Sequence, residues 1–158
     1  MKERILLLLR EIEDLNLRQN NLYEKIDRSW KQFEESKEYS FLVESAFYLN
    51  QLYSGFERIF QYIAEVFENT IEGSRWHKNL LERMRLNIEP LRPALIRNDT
   101  YQCLDDLRTF RHFFRHAYEA DLDPEKVSLV MNRAMRLRDF WSRDLTNFTN
   151  FLNKLAEE

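Results

Sequence analysis

The chain contains few of the residues that interrupt helices. It has 2 glycines and 3 prolines in 158 residues, so flexible and helix-breaking positions are scarce. Hydrophobic residues at 44% and charged residues at 32% are typical of a protein built from long amphipathic helices. The composition therefore predicts an all-α fold. A chain of this length suits one domain, 1–158, and is short for two independent cores.

Cysteine and long hydrophobic runs are also scarce. Cys103 is the single cysteine, which excludes an internal disulfide and suggests a buried thiol in a reducing compartment. The apolar run "ILLLL" near the start is too short for a signal-peptide core or a membrane span, and charged residues follow it at once. We therefore expect a cytoplasmic protein without a membrane partner.

A broad basic surface is missing as well. The net charge is −3, which argues against a protein that coats nucleic acid non-specifically. Residues 92–143 are nevertheless locally basic, and nearly all of their positive charge is arginine. Arginine suits phosphate recognition because its planar guanidinium donates two parallel hydrogen bonds. A solvated helix face with salt bridges would explain the same charges.

Apolar residues recur at alternating steps of three and four over most of the chain, as expected for helices with one buried face. The stripes run from Ile5 to Phe33, from Leu42 to Phe67, from Leu104 to Phe114 and from Val127 to Leu152. With one short helix added, they predict an antiparallel bundle of four to five helices. A coiled-coil partner protein is the alternative, but prolines and core aromatic residues favour a closed bundle.

Helix boundaries can be predicted at several positions. Gly73 suits a left-handed cap after the second helix, and Ser74 suits the start of the short one. The segment "EPLRP" predicts an extended loop. Asp99 and Gln102 are spaced as a capping box for the next helix. Asp123 followed by Pro124 predicts the start of the last one.

The segment "RHFFRHAY" concentrates polar chemistry on a helix that also has a buried face. On a regular helix Leu107, Arg111, Phe114 and Tyr118 share one face. An ionised guanidinium at the edge of an apolar stripe needs a partner, because it loses hydration there. The partner could be an acidic side chain from a neighbouring helix, with Glu57 the best candidate by position, or a phosphate that binds later.

Histidine adds a group that can transfer protons near neutral pH. His116 lies about 140° from Arg111 on an ideal helix, so the two converge only if the helix ends or distorts there. A histidine near a helix end is also often a structural hydrogen-bonding residue. His112 and His116 are spaced as a metal-binding pair, but the sequence offers no third ligand. We therefore expect no metal and no other cofactor.

Arg111 to Tyr118 match the Arg-x-x-x-x-His-x-Tyr pattern of HepT-like proteins, and the chain resembles this group of the HEPN superfamily over nearly its whole length. The resemblance implies a HEPN-like bundle that acts as a metal-independent endoribonuclease and as the toxin of a type VII toxin–antitoxin system. It also implies a homodimer whose cleft is lined by both motifs. The implied partner is a MntA-like nucleotidyltransferase antitoxin, which adds AMP to the motif tyrosine.

Each motif residue takes a role through this resemblance. Arg111 would hold the scissile phosphate of the RNA, His116 would take or give the proton, and Tyr118 would be the residue modified with AMP. His112, Arg115 and Arg108 would support RNA binding. The alternative keeps the fold without the reaction, as a non-catalytic subunit that binds a nucleotide or a partner in a nucleotidyltransferase complex.

Overall fold

The computed structural model describes residues 1–68, 76–116 and 121–158, and for residues 76–78 only the backbone. These residues form five helices and no strand: α1 (Lys2–Ser36), α2 (Tyr39–Phe67), α3 (Trp76–Met84), α4 (Asn98–His116) and α5 (Pro124–Glu157). The predicted all-α bundle is confirmed. The expected caps at Gly73 and Ser74 lie outside the described residues.

Helix α2 is the centre of the bundle, since it packs against each of the other four helices. Its aromatic side chains meet α5, where the Trp141 ring lies edge-on to Phe56 and Phe60 at centroid distances of 5.0 and 6.1 Å. Helix α4 packs between α2 and α5. This position leaves only one side of α4 for solvent.

The predicted stripes form the core. All members of the α2 stripe from Leu42 to Ile63 are buried, as are Ile5, Ile26 and Phe33 in α1. Other stripe residues lie at the rim of the core and are partly buried, among them Leu15, Leu22, Phe67, Phe114, Val130 and Leu145. The three- and four-residue periodicity therefore located the buried faces correctly, because it follows directly from helix geometry.

Helices α1 and α2 approach closely at Gly55. The buried Gln19 side chain donates from Nε2 to the Leu52 carbonyl oxygen at 2.8 Å. A methyl group at Gly55 would overlap this amide. The glycine therefore makes room for the Gln19 amide between the two helices.

The predicted start of α5 is confirmed, whereas α4 begins earlier than predicted. Asp123 caps α5 as expected, because its carboxylate accepts a hydrogen bond from the Glu125 amide at 3.0 Å and Pro124 follows it. Helix α4 instead begins at Asn98, and Asp144 of α5 accepts from the Arg97 amide at 3.1 Å. Asp99 pairs with Arg143 across the helices, and this contact lowers the pKa of Asp99 to about 2.

The loop between α3 and α4 is built on a buried arginine. Ile88 and Arg92 form an isolated antiparallel bridge, and the Glu89–Pro90 peptide bond is cis. The Arg92 side chain is fully buried and donates to the Glu68 carboxylate and to three backbone carbonyl oxygens. The loop predicted from "EPLRP" is thus a compact turn around one guanidinium rather than an extended strand-like segment.

None of the helices within the described ranges combines the length and the apolar character needed to cross a membrane.

Candidate functional site

Arg111 points into the bundle, where it meets an acidic side chain of α2. Its Nη1 and Nη2 atoms each donate to one oxygen of Glu57 at 3.1 Å. Nη1 also lies 3.3 Å from Ser54 Oγ. Only 6% of Arg111 and 6% of Glu57 remain exposed. The contact is therefore a buried bidentate ion pair, the geometry in which guanidinium and carboxylate interact most strongly.

Tyr53 completes the surroundings of this pair. The guanidinium carbon of Arg111 lies 4.7 Å from the centre of the Tyr53 ring, which gives a cation–π contact. The pKa of the Tyr53 phenol is raised, first by burial and then by the charge of Glu57. Its hydroxyl has no hydrogen-bond partner among the residues that the structure describes. Tyr53 is therefore a neutral phenol held against a charged pair.

The sequence left two partners open for Arg111, and the structure selects Glu57. It also changes the expected position of Arg111, which lies beneath the surface rather than along an open cleft. A phosphate that accepted from the two N–H groups now bonded to Glu57 would have to displace that carboxylate. The role of Arg111 in binding a scissile phosphate stays a prediction.

The surface above Arg111 carries the other polar residues of the segment. Arg108, His112, Arg115 and His116 fall within an arc of about 100° on α4, given 100° of rotation per residue. His112, Arg115 and His116 are exposed, and Arg108 is half-buried. We call these four residues the α4 strip. The strip brings together all the predicted supporting residues and the predicted proton-transfer group.

The end of α4 does not bend His116 towards Arg111. The helix stays regular through His116, so the two side chains keep the separation of about 140° that an ideal helix imposes. Within one chain, the two side chains therefore do not converge over the described residues. Arg111 faces α2, whereas His116 faces solvent.

Of the two arginines in the strip, one is paired with an acidic side chain among the described residues and the other is not. Arg108 donates from Nε and Nη2 to one oxygen of Asp105 at 2.9 and 2.8 Å. Arg115 has no ion pair within the described ranges. The His112 and His116 rings lie against each other, with centroids 4.5 Å apart and planes inclined by 54°. The positive charge most open to an anionic ligand is therefore that of Arg115.

Exposed apolar side chains occur on α4 and on its neighbours α5 and α2. On the α5 side, Phe113 and Leu129 are 41% and 67% exposed and line a cavity of about 490 Å³. On the α2 side, Val43 and Phe47 are exposed as well. Exposed apolar patches bordered by polar residues are typical of protein interaction surfaces.

Two residues of this region were missed by sequence reasoning, namely Ser54 and Tyr53, because their contacts with Arg111 depend on how α2 and α4 align. Tyr118, the predicted modification site, lies outside the described residues. Within the described part of the chain, no group of three or more histidine, cysteine or acidic side chains is arranged to hold a metal ion.

A family model described as HepT-like protein matches residues 45–152. The match covers more than half of the chain and includes α4, the α4 strip and the buried Arg111–Glu57 pair. The chain belongs to the HepT-like family. Comparisons with curated proteins and with solved structures return no match.

The buried pair gives a first testable prediction. Arg111→Ala should lower the free energy of unfolding by about 3–5 kcal/mol, because it leaves the Glu57 carboxylate buried without its cation. Urea denaturation followed by circular dichroism measures the loss. Arg115→Ala removes the same charge four residues later on an exposed position, so its midpoint should stay near that of the unmodified protein. Equal midpoints for the two variants would contradict a structural role for Arg111.

Proposed function

We propose that this HepT-like protein is a metal-independent endoribonuclease and the toxin of a toxin–antitoxin pair, with its active site at the exposed end of α4. The observation that carries the proposal is the α4 strip, which lies within the segment that the family model matches. His116 is the proposed proton-transfer residue. Arg115, Arg108 and His112 are proposed to bind the RNA backbone.

The strip has the chemistry that RNA cleavage needs without a metal ion. The 2′-hydroxyl oxygen attacks the neighbouring phosphorus, and the bond from phosphorus to the 5′-oxygen breaks. One group must remove the proton of the 2′-hydroxyl, and another must supply a proton to the departing 5′-oxygen. An imidazole can do either, and a guanidinium stabilises the charge that develops on the phosphate oxygens.

A homodimer with facing strips would meet the need for two proton-transfer groups. Each chain has one His116, so two chains supply one imidazole as base and one as acid. The exposed side chains of Phe113 and Leu129, and of Val43 and Phe47 on α2, offer apolar surface for such an interface. Arg111 would bind the scissile phosphate in this dimer by exchanging Glu57 for the phosphate.

The buried ion pair favours a second candidate function. Because the guanidinium of Arg111 is already occupied by Glu57, the motif arginine could act only in the fold. The chain would then be a non-catalytic subunit that binds a nucleotide or a nucleotidyltransferase through Arg115 and the histidines. Cleavage assays on the purified chain separate this function from the proposed one.

His116→Ala should abolish RNA cleavage while leaving the unfolding midpoint nearly unchanged, because this side chain is exposed at the helix end. The substrate is a mixed RNA pool, and products are resolved by gel and mass spectrometry. Cleavage by the unmodified protein should persist in EDTA and leave 2′,3′-cyclic phosphate ends. Cleavage that survives in His116→Ala, or that stops in EDTA, would contradict the assignment.

The role of Arg111 needs a variant that does not leave a buried charge unpaired. Replacing a buried ion pair by two apolar residues of similar size is often neutral for stability, so Glu57→Met with Arg111→Met should fold. Loss of cleavage in this folded double variant is the expected result and supports a chemical role for Arg111. Retained cleavage would show that Arg111 has a structural role and no role in the reaction.

The proposed dimer predicts twice the monomer mass of 19.5 kDa in light scattering at micromolar concentration. Phe113→Asp places a charge in the apolar surface next to the strip and should shift the protein towards the monomer. Leu7→Asp is a matched control, because Leu7 is also exposed but belongs to α1. If the unmodified protein stays monomeric, an active site formed by two chains is contradicted.

The proposed antitoxin partner predicts a covalent change at Tyr118, two residues after the exposed His116. Co-expression with a MntA-like nucleotidyltransferase should add one or more AMP units, located by peptide mapping. The added phosphate should compete with RNA for Arg115 and reduce cleavage. Tyr118→Phe should escape modification. AMP on another residue such as Tyr101, or unchanged cleavage after full modification, would overturn this assignment.

A further inference from the structure

The paired histidines of the α4 strip lie close enough to share one metal ion. Two imidazoles that share one ion, each with a metal–nitrogen bond of about 2.0–2.1 Å, place their ring centres roughly 4.5–5 Å apart. The observed distance between the His112 and His116 centroids is 4.5 Å. Both side chains are exposed and lie one turn apart on a regular helix. No rearrangement of the backbone is needed to bring the rings to one ion.

The choice of metal follows from the ligand type. Imidazole nitrogen suits Zn²⁺, Cu²⁺ and Ni²⁺, whereas Mg²⁺ prefers oxygen ligands and keeps its water shell. Because the described part of the chain brings no third histidine, cysteine or acidic ligand to this position, water would fill the remaining coordination positions. Arg115 adds positive charge on the same strip. Binding should therefore be reversible and moderate rather than that of a structural metal.

We propose that His112 and His116 form a binding site for late first-row divalent transition metal ions, and that occupancy of this site inhibits the protein. The inhibitory part rests on the proposed ribonuclease function. A nitrogen of His116 that coordinates a metal ion has no lone pair left to accept a proton. The ion would also hold both rings against the helix and occupy the surface that RNA would contact.

Isothermal titration calorimetry of the full chain with Ni²⁺, Cu²⁺ and Mg²⁺ tests binding without any RNA. We expect one binding site per chain. Cu²⁺ should bind with higher affinity than Ni²⁺, because affinities of nitrogen ligands for divalent first-row metals rise from Ni²⁺ to Cu²⁺. Mg²⁺ should not bind. His112→Asn and His116→Asn should each weaken Ni²⁺ binding by about tenfold or more, since each removes one of two ligands. His77→Asn removes the remaining histidine of the chain and should bind Ni²⁺ like the unmodified chain.

A ribonuclease assay then tests inhibition. Ni²⁺ at a saturating concentration should reduce cleavage by the unmodified protein, and EDTA should restore it. In His112→Asn, the fraction of that variant's own activity that is lost at the same Ni²⁺ concentration should be much smaller. Ni²⁺ binding that is unaffected by both histidine substitutions would overturn the site. Binding that leaves cleavage unchanged would overturn the inhibition, and a chain that binds Ni²⁺ but never cleaves RNA would instead refute the proposed function.

Discussion

The buried ion pair between Arg111 and Glu57 is the constraint on which the functional end of α4 depends. Its two hydrogen bonds of 3.1 Å fix the rotation of α4 against α2, because a shift of one residue would carry the guanidinium out of reach of the carboxylate. With this rotation fixed, His112, Arg115 and His116 face solvent. A buried pair of this kind contributes little net stability, yet breaking it is costly. It therefore specifies orientation more than it strengthens the fold.

Features that follow from local periodicity could be predicted from the sequence, and features that join distant segments could not. The stripes gave the buried faces of α1, α2 and α5 because a helix repeats every 3.6 residues. The Asp123 cap was predictable since the capping residue and the helix are adjacent. The start of α4 could not be predicted, because the carboxylate that accepts from the Arg97 amide there belongs to Asp144, on another helix. The Glu68–Arg92 contact likewise joins residues 24 positions apart.

The candidate site shows the same division. Helix geometry alone predicted that His112 and His116 share one face of α4, and the position of Glu57 in its own stripe made it a candidate partner for Arg111. The cation–π contact with Tyr53 depends on the alignment of two helices and has no signal in the sequence. Arg111 and His116 were expected to meet only if the helix ended or distorted between or beyond them, and over the described residues α4 is helical through His116, so the two side chains face different sides.

The depth of Arg111 limits how this site can handle a phosphate. A phosphodiester carries one negative charge, as the Glu57 carboxylate does, so an exchange of partners leaves the charge balance of the guanidinium unchanged. The cost of the exchange falls on Glu57, which would remain buried without its cation. Tyr53 lies against the same guanidinium, and its buried hydroxyl has no hydrogen-bond partner within the described ranges. The proposed proton transfer by the exposed His116 requires no rearrangement of buried charges, whereas the proposed phosphate binding by Arg111 does.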